Sequence, residues 1–270
     1  MNVKQQSKAV QAASLTPSQA GVGLLHKAFE LLNLFQVDQA NWSQSEIIEI
    51  TEMSRSTVSR LVRYLVETGY LAEIPKTGRY SLGMAAISLG QRAEAGFDLK
   101  SFCQPALAEL AEITNETIVL TAFDRKAKSA VCIDQLEGER GGLRVFEKVG
   151  AAFPLHAGAA PRVILAALPV KEQDAYLLGE LPAFTPRTLI SPENIRKDII
   201  RIKDDGYCLS IEETYLGAAG MAACFTGPDN YPAGSIAIAF PLHNMDDVKK
   251  NNIGIEIARI AESLSQKLKA

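Results

Sequence analysis

The sequence predicts a two-domain protein, an N-terminal, mainly α winged helix-turn-helix followed by a C-terminal α+β domain. Three observations carry this. Between Ser43 and Leu82, two short helical patterns and a Gly-bearing hairpin follow one another at winged-helix spacing. From Thr117 onward, β-branched runs and amphipathic helical patterns share the chain, as in an α+β domain. At 270 residues the chain is long enough for two ordinary domains. The expected boundaries are a disordered arm over 1–20, the winged helix over 21–83, a linker helix over 84–98, and the second domain over 99–270.

The elements are read in order. The arm holds Gln, Ser, Ala and Lys without a long apolar run. Leu24, Ala28, Leu31, Leu32 and Phe35 space a helix from Gly23 to Phe35 that backs the helix-turn-helix. Trp42 opens the next helix. Ser43 caps it and Glu46 lies three residues on, a capping-box spacing. Thr51-Glu52-Met53 turns the chain into a helix whose Val58, Leu61, Val62 and Leu65 fall at i, i+3, i+4 and i+7. Thr68-Gly69 stops it. Tyr70–Ile74 and Arg79–Leu82 read as strands around the turn Pro75–Gly78.

The second helix of this pair carries the first functional signal. Ser54, Arg55, Ser56, Thr57, Ser59, Arg60 and Arg63 lie off its apolar stripe, and no acidic residue interrupts Ser54–Leu65. Such a face suits a DNA major groove, because Arg forks onto guanine while Ser and Thr reach phosphates or base edges. Arg55 and Arg60 are read as base contacts. Arg63, with Lys76 and Arg79 on the hairpin, is read as meeting phosphates. The net charge of −3 argues against nonspecific coating of nucleic acid. Glu46, Glu49, Glu52, Glu67 and Glu73 offset the basic residues, so two or more copies on one DNA are expected.

In the second half, Gly83–Glu94 reads as a connecting helix, and Leu99–Thr114 as a helix containing Pro105. Thr117–Asp124 and Ser129–Leu136 form a hairpin, with Leu143–Phe146 as a third strand. Helices follow over Pro161–Leu168 and Pro192–Asp205. Strands follow near Tyr207–Ser210, Met221–Phe225 and Ser235–Phe240, and Asp246–Lys269 closes as a helix. No apolar run is long enough for a membrane span, and a cytoplasmic location is expected. The four cysteines are widely spaced, supporting neither a disulfide framework nor a zinc site. No metal or cofactor is expected. No nucleophile elbow, HExxH, Walker loop or dinucleotide fingerprint is present, so catalysis is not expected. His156 is read as ordering its loop. Glu212-Glu213, if on a strand, point to opposite faces and cannot share a substrate. The alternative is a metabolite-binding enzyme subunit or a sensor module whose helix-turn-helix serves protein contacts.

The pattern Ser45-Glu46-Ile47, Ser54–Leu61, Leu65–Leu71 and Tyr80–Gly83 resembles the DNA-binding domain of the IclR family of bacterial transcriptional regulators. The resemblance continues through Phe153–Ala160, Asp205-Gly206-Tyr207, Glu212-Glu213 and Gly220–Ala223. It implies a GAF-like, effector-binding and oligomerising second domain, a double-stranded DNA operator, and a homodimer or homotetramer. It also implies a small carboxylate effector over Ala157–Pro161. Pro161 would sit at the first helical position, with the free N–H groups near Arg162 and Val163 facing the ligand. The positions matching the family's pocket are Ala159, Ala160, Arg162, Ser210, Gly220, Ala237 and Ala239. Several family members hold more polar residues at the last four, so the effector implied here has an apolar or aromatic body. Many members carry Gly where this chain has Glu52.

Overall fold

The computed structural model describes residues 22–36, 39–95, 99–138, 148–242 and 247–270. They divide into two compact units, parted between residues 98 and 99. The arm over 1–20 and the strand expected at Leu143–Phe146 lie outside the described residues.

The first unit runs α1 (Gly23–Leu32), β1 (Trp42–Ser43), α2 (Gln44–Thr51), α3 (Arg55–Glu67), β2 (Leu71–Ile74), β3 (Arg79–Leu82) and α4 (Met84–Ala95). Val58, Leu61, Val62 and Leu65 of α3 are buried with Leu31, Trp42, Ile47 and Leu71. Burial of each large apolar side chain contributes about 1.5–3 kcal/mol. Both halves of the capping box form: Ser43 Oγ accepts from the Glu46 N–H, and Glu46 accepts from the Ser43 N–H at 2.7 Å. Glu52 ends α2 in the left-handed region, at φ 55°.

Trp42 belongs to a strand and does not begin a helix. β1 pairs Trp42 with Tyr80 and Ser43 with Arg79, giving a three-stranded sheet of order β1-β3-β2. The Trp42 indole N–H donates to the Leu34 carbonyl at 2.8 Å. The helix expected as a linker starts on this unit, where the Ala85 N–H donates to the Gly69 carbonyl at 3.0 Å. Gly83 makes that approach possible, since a Cβ there would lie 2.3 Å from the Gly69 oxygen.

The second unit runs α5 (Leu99–Thr114), β4 (Thr117–Asp124), β5 (Ser129–Leu136), β6 (Ala152–Pro154), α6 (Ala159–Ala167), α7 (Val170–Leu177), α8 (Pro192–Asp205), β7 (Cys208–Ile211), β8 (Ala218–Thr226), β9 (Pro232–Pro241) and α9 (Asp247–Lys269). Six strands form one antiparallel sheet of order β6-β5-β4-β9-β8-β7. Side chains alternate across it. Ile118, Leu120, Met221, Phe225, Ile236, Ile238 and Phe240 pack with α5 and α9. Val119, Ala222 and Ala237 pack with α6 and α8. One face is therefore filled by large side chains. The other is built of small ones near the start of α6, and the difference leaves room for a cleft.

Candidate functional site

The first candidate surface is the N-terminal half of α3 with the hairpin. Ser54 caps α3, its Oγ accepting from the Thr57 N–H at 3.3 Å. Its hydroxyl also lies within hydrogen-bond distance of Ser56 and Thr57, so the three form a cluster at the helix start. Arg55, Ser56, Arg60 and Arg63 are exposed, and Thr57 and Ser59 are half-buried. None of the three arginines is ion-paired among the described residues. Lys76 is exposed at the hairpin tip, held at φ 64°.

Arg79 differs from expectation. Its Nε donates to Asn41 Oδ1 at 2.6 Å, and its Nη2 donates to the Asn41 carbonyl at 3.0 Å and pairs with Glu46 at 2.9 Å. The Nε and Nη2 edge of the guanidinium is engaged inside the unit, so Arg79 acts first as a brace of the hairpin. It joins β3 to the capping box of α2 and fixes the hairpin against the helix pair. Arg79 also adds to the Ser43 hydrogen bonds that hold the Glu46 carboxyl below its ordinary pKa. Asn41 was not among the sequence candidates.

The second candidate site is a cleft between the start of α6 and the small-residue face of the sheet. Its unfilled space, open mouth included, is about 490 Å³. Ala159, Ala160, Ser210, Gly220, Ala237 and Ala239 all line it, as do Gly158, Thr214 and Val119. Ser210 pairs in register with Gly220, and Gly220 with Ala239, making one row across three strands. A Cβ on Gly220 would stand 3.7 Å from the Ala159 Cβ, so the glycine lies directly beneath the helix start. The Ser235 hydroxyl donates to the Ala160 carbonyl at 3.0 Å and ties that first turn to the sheet.

Two expectations about this helix are corrected. α6 begins at Ala159, with Gly158 as N-cap at φ 90°, so Pro161 is its third residue and not its first. The Arg162 N–H is already bound to the Gly158 carbonyl at 3.3 Å. The N–H groups left without an intrahelical partner are those of Ala159 and Ala160. The Arg162 side chain does not line the cleft either. It is 1% exposed and makes five hydrogen bonds: to the His156 carbonyl at 3.1 and 2.8 Å, to Asp198 at 2.9 Å, and to both carboxylate oxygens of Glu213. With its donors spent, it serves as a buried tie between α6, α8 and the loop after β7.

The acidic pair is also placed differently. β7 ends at Ile211, and Glu212 takes the left-handed region at φ 57°, so strand alternation no longer applies. Both residues border the cleft. Glu213 pairs with Arg162, while Glu212 accepts from the Gly217 N–H at 2.8 Å. Thr185 and Thr188 hold the carbonyls of Glu212 and Glu213, each at 2.6 Å.

His156 is fully buried. Its Nε2 lies 3.0 Å from the Pro182 carbonyl, which can only accept, so Nε2 carries the proton. Nδ1 then accepts from the Tyr176 hydroxyl at 3.0 Å. Burial lowers the pKa of His156 and pushes that of Tyr176 up to about 12, which keeps both neutral. The pair anchors the loop before α6. Among the described residues no cluster of metal-ligating side chains occurs.

A winged helix with an exposed Arg and hydroxyl face, on a chain whose second unit carries a cleft walled by small residues, defines a DNA-binding protein by class. The chain belongs to the IclR family of bacterial transcriptional regulators: the IclR helix-turn-helix domain matches residues 24–75 and the bacterial transcriptional regulator IclR C-terminal domain matches residues 91–266. It is 30% identical to the HTH-type transcriptional regulator KipR of Bacillus subtilis, over 79% of this chain and 84% of that protein. An IclR transcriptional regulator from Silicibacter sp. TM1040 shares the fold at TM-score 0.79 and 26% identity, covering 92% of this chain and 97% of its own. An IclR homolog from Microbacterium hydrocarbonoxydans, complexed with 4-hydroxybenzoate, matches at TM-score 0.73 and 21% identity, over 91% and 100% of the two chains. The family is one of regulators and not of enzymes, which sets aside the enzyme-subunit alternative. No described helix is long and apolar enough to cross a membrane.

Proposed function

We propose that this chain is a cytoplasmic homo-oligomeric regulator whose affinity for a DNA operator changes when a small carboxylate with an apolar or aromatic body occupies the cleft at the start of α6. One observation carries the reading of the effector. Ala159 and Ala160 line the cleft in the first turn of a helix, where the N–H groups have no intrahelical partner and the dipole is positive, beside Gly220, Ala237 and Ala239. A carboxylate suits the amides, and an apolar body suits these small residues. The homolog complexed with an aromatic monocarboxylate supports the same class.

At the DNA, Arg55 and Arg60 are assigned to base edges, Arg63 and Lys76 to phosphates, and Ser54, Ser56, Thr57 and Ser59 to the flanking backbone. Leu24, Leu25 and Phe29 on α1, with Met84 and Ile87 on α4, are each more than half exposed. Such side chains support self-association through the first unit. Electrophoretic shift on DNA upstream of the chain's own gene, at two salt concentrations, tests the DNA half. Arg55→Ala or Arg60→Ala is expected to cost about 1–3 kcal/mol of specific binding. Binding equal to the parent in both variants would refute the assignment.

A further inference from the structure

The exposed side of α3 carries one large side chain besides its arginines. Tyr64 is 63% exposed. The buried stripe of the helix, Val58, Leu61, Val62 and Leu65, is complete without it. The other tyrosines of this unit, Tyr70 and Tyr80, pack against its core, and the Tyr80 hydroxyl accepts from Gln44 at 3.1 Å. The Tyr64 hydroxyl meets no hydrogen-bond partner among the described residues.

The position of Tyr64 gives that hydroxyl a use. Tyr64 follows Arg63 directly and lies four residues beyond Arg60, one turn along the same side of the helix. The first turns of a recognition helix reach base edges. At the ordinary helical rise Tyr64 is about 14 Å beyond Arg55, more than the roughly 12 Å width of a major groove. This turn therefore suits the phosphates that border the groove rather than the bases within it. Glu67, exposed and last in α3, is the first acid of the helix, and a carboxylate repels phosphate. The surface that suits DNA thus ends at Tyr64. A second copy of the chain suits the ring less well, because most other large apolar side chains exposed on this unit lie on α1 and α4.

We propose that Tyr64 is a positioning residue for DNA binding, its hydroxyl donating to a backbone phosphate and anchoring the later turns of α3. The proposal rests on α3 being the helix that enters the groove. Its test is fluorescence anisotropy of the full chain and of Tyr64→Phe, on DNA from upstream of the chain's own gene and on an unrelated duplex, at several salt concentrations. Phenylalanine keeps the ring and loses only the donor. Tyr64→Phe is expected to bind both duplexes about tenfold more weakly than the parent. The slope of log affinity against log salt is expected to stay the same, because a neutral hydroxyl releases no counterion. In the parent, bound DNA is expected to shield Tyr64 from nitration by tetranitromethane, read by peptide mass. Affinity in Tyr64→Phe equal to the parent's, a loss confined to the upstream DNA or accompanied by a flatter slope, or nitration undiminished by bound DNA overturns the phosphate contact and leaves α3 as the groove helix. If the parent binds neither duplex, both readings fall.

Discussion

At the scale of single residues, the protein holds several side chains in conditions that make measurable predictions. Glu52 adopts a left-handed backbone that a residue with a Cβ tolerates poorly, and it places a negative charge at the C-terminal end of α2. Glu52→Gly is expected to raise stability by about 0.5–1 kcal/mol in chemical denaturation; a loss of stability would show that Glu52 makes a compensating contact. His156 is buried neutral with its pKa lowered, so the unfolded chain binds that proton more readily than the folded one. Stability from this site is complete above the ordinary histidine range and falls as pH drops below about 6.5, through the lower folded value. Thermal melts between pH 7 and 5 should show the decline, and His156→Asn should flatten it. An equal decline in the variant would place the effect elsewhere. Arg162 shows what the sequence hides. Its acidic partners lie 36 and 51 residues along the chain, so nothing local distinguished a buried tie from a residue facing the ligand.

At the scale of elements, legibility followed length and periodicity. α3 was readable because its four buried positions repeat at helical spacing, and α8 because Ser191 and Pro192 mark its start. β1 and β6 span two and three residues, too few for any period. In α7 only Gln173 and Leu177 are buried, which leaves no apolar stripe to detect. The cleft was partly visible in Ile236-Ala237-Ile238-Ala239-Phe240, where large and small residues alternate and so face opposite sides of β9. The hairpin yields a separate prediction. Lys76→Ala should reduce the slope of log affinity against log salt by about one, because a phosphate contact is lost. Arg79→Ala should lower affinity and stability with the slope unchanged, since Arg79 braces β3 against Asn41 and Glu46. A reduced slope for Arg79→Ala, measured by anisotropy at several salt concentrations, would return Arg79 to the phosphate contacts.

At the scale of the whole molecule, two compact units carry two kinds of chemistry, a basic helix face on one and a cleft walled by small residues on the other. A regulator needs a free-energy coupling between them, typically about 1–3 kcal/mol, and that coupling is the central claim. It is tested most directly by fluorescence anisotropy of the full chain on labelled DNA from upstream of its own gene, with and without saturating hydroxybenzoate, in the parent and in Gly220→Leu. The leucine lies in the second unit, where its Cβ would stand 3.7 Å from that of Ala159 and the rest of the side chain would crowd the cleft. The account predicts that operator affinity changes by at least about fivefold in the parent, and that Gly220→Leu binds the operator as the parent does but no longer responds. Operator affinity unmoved by an acid that demonstrably fills the cleft, or a full response retained in Gly220→Leu, would contradict it.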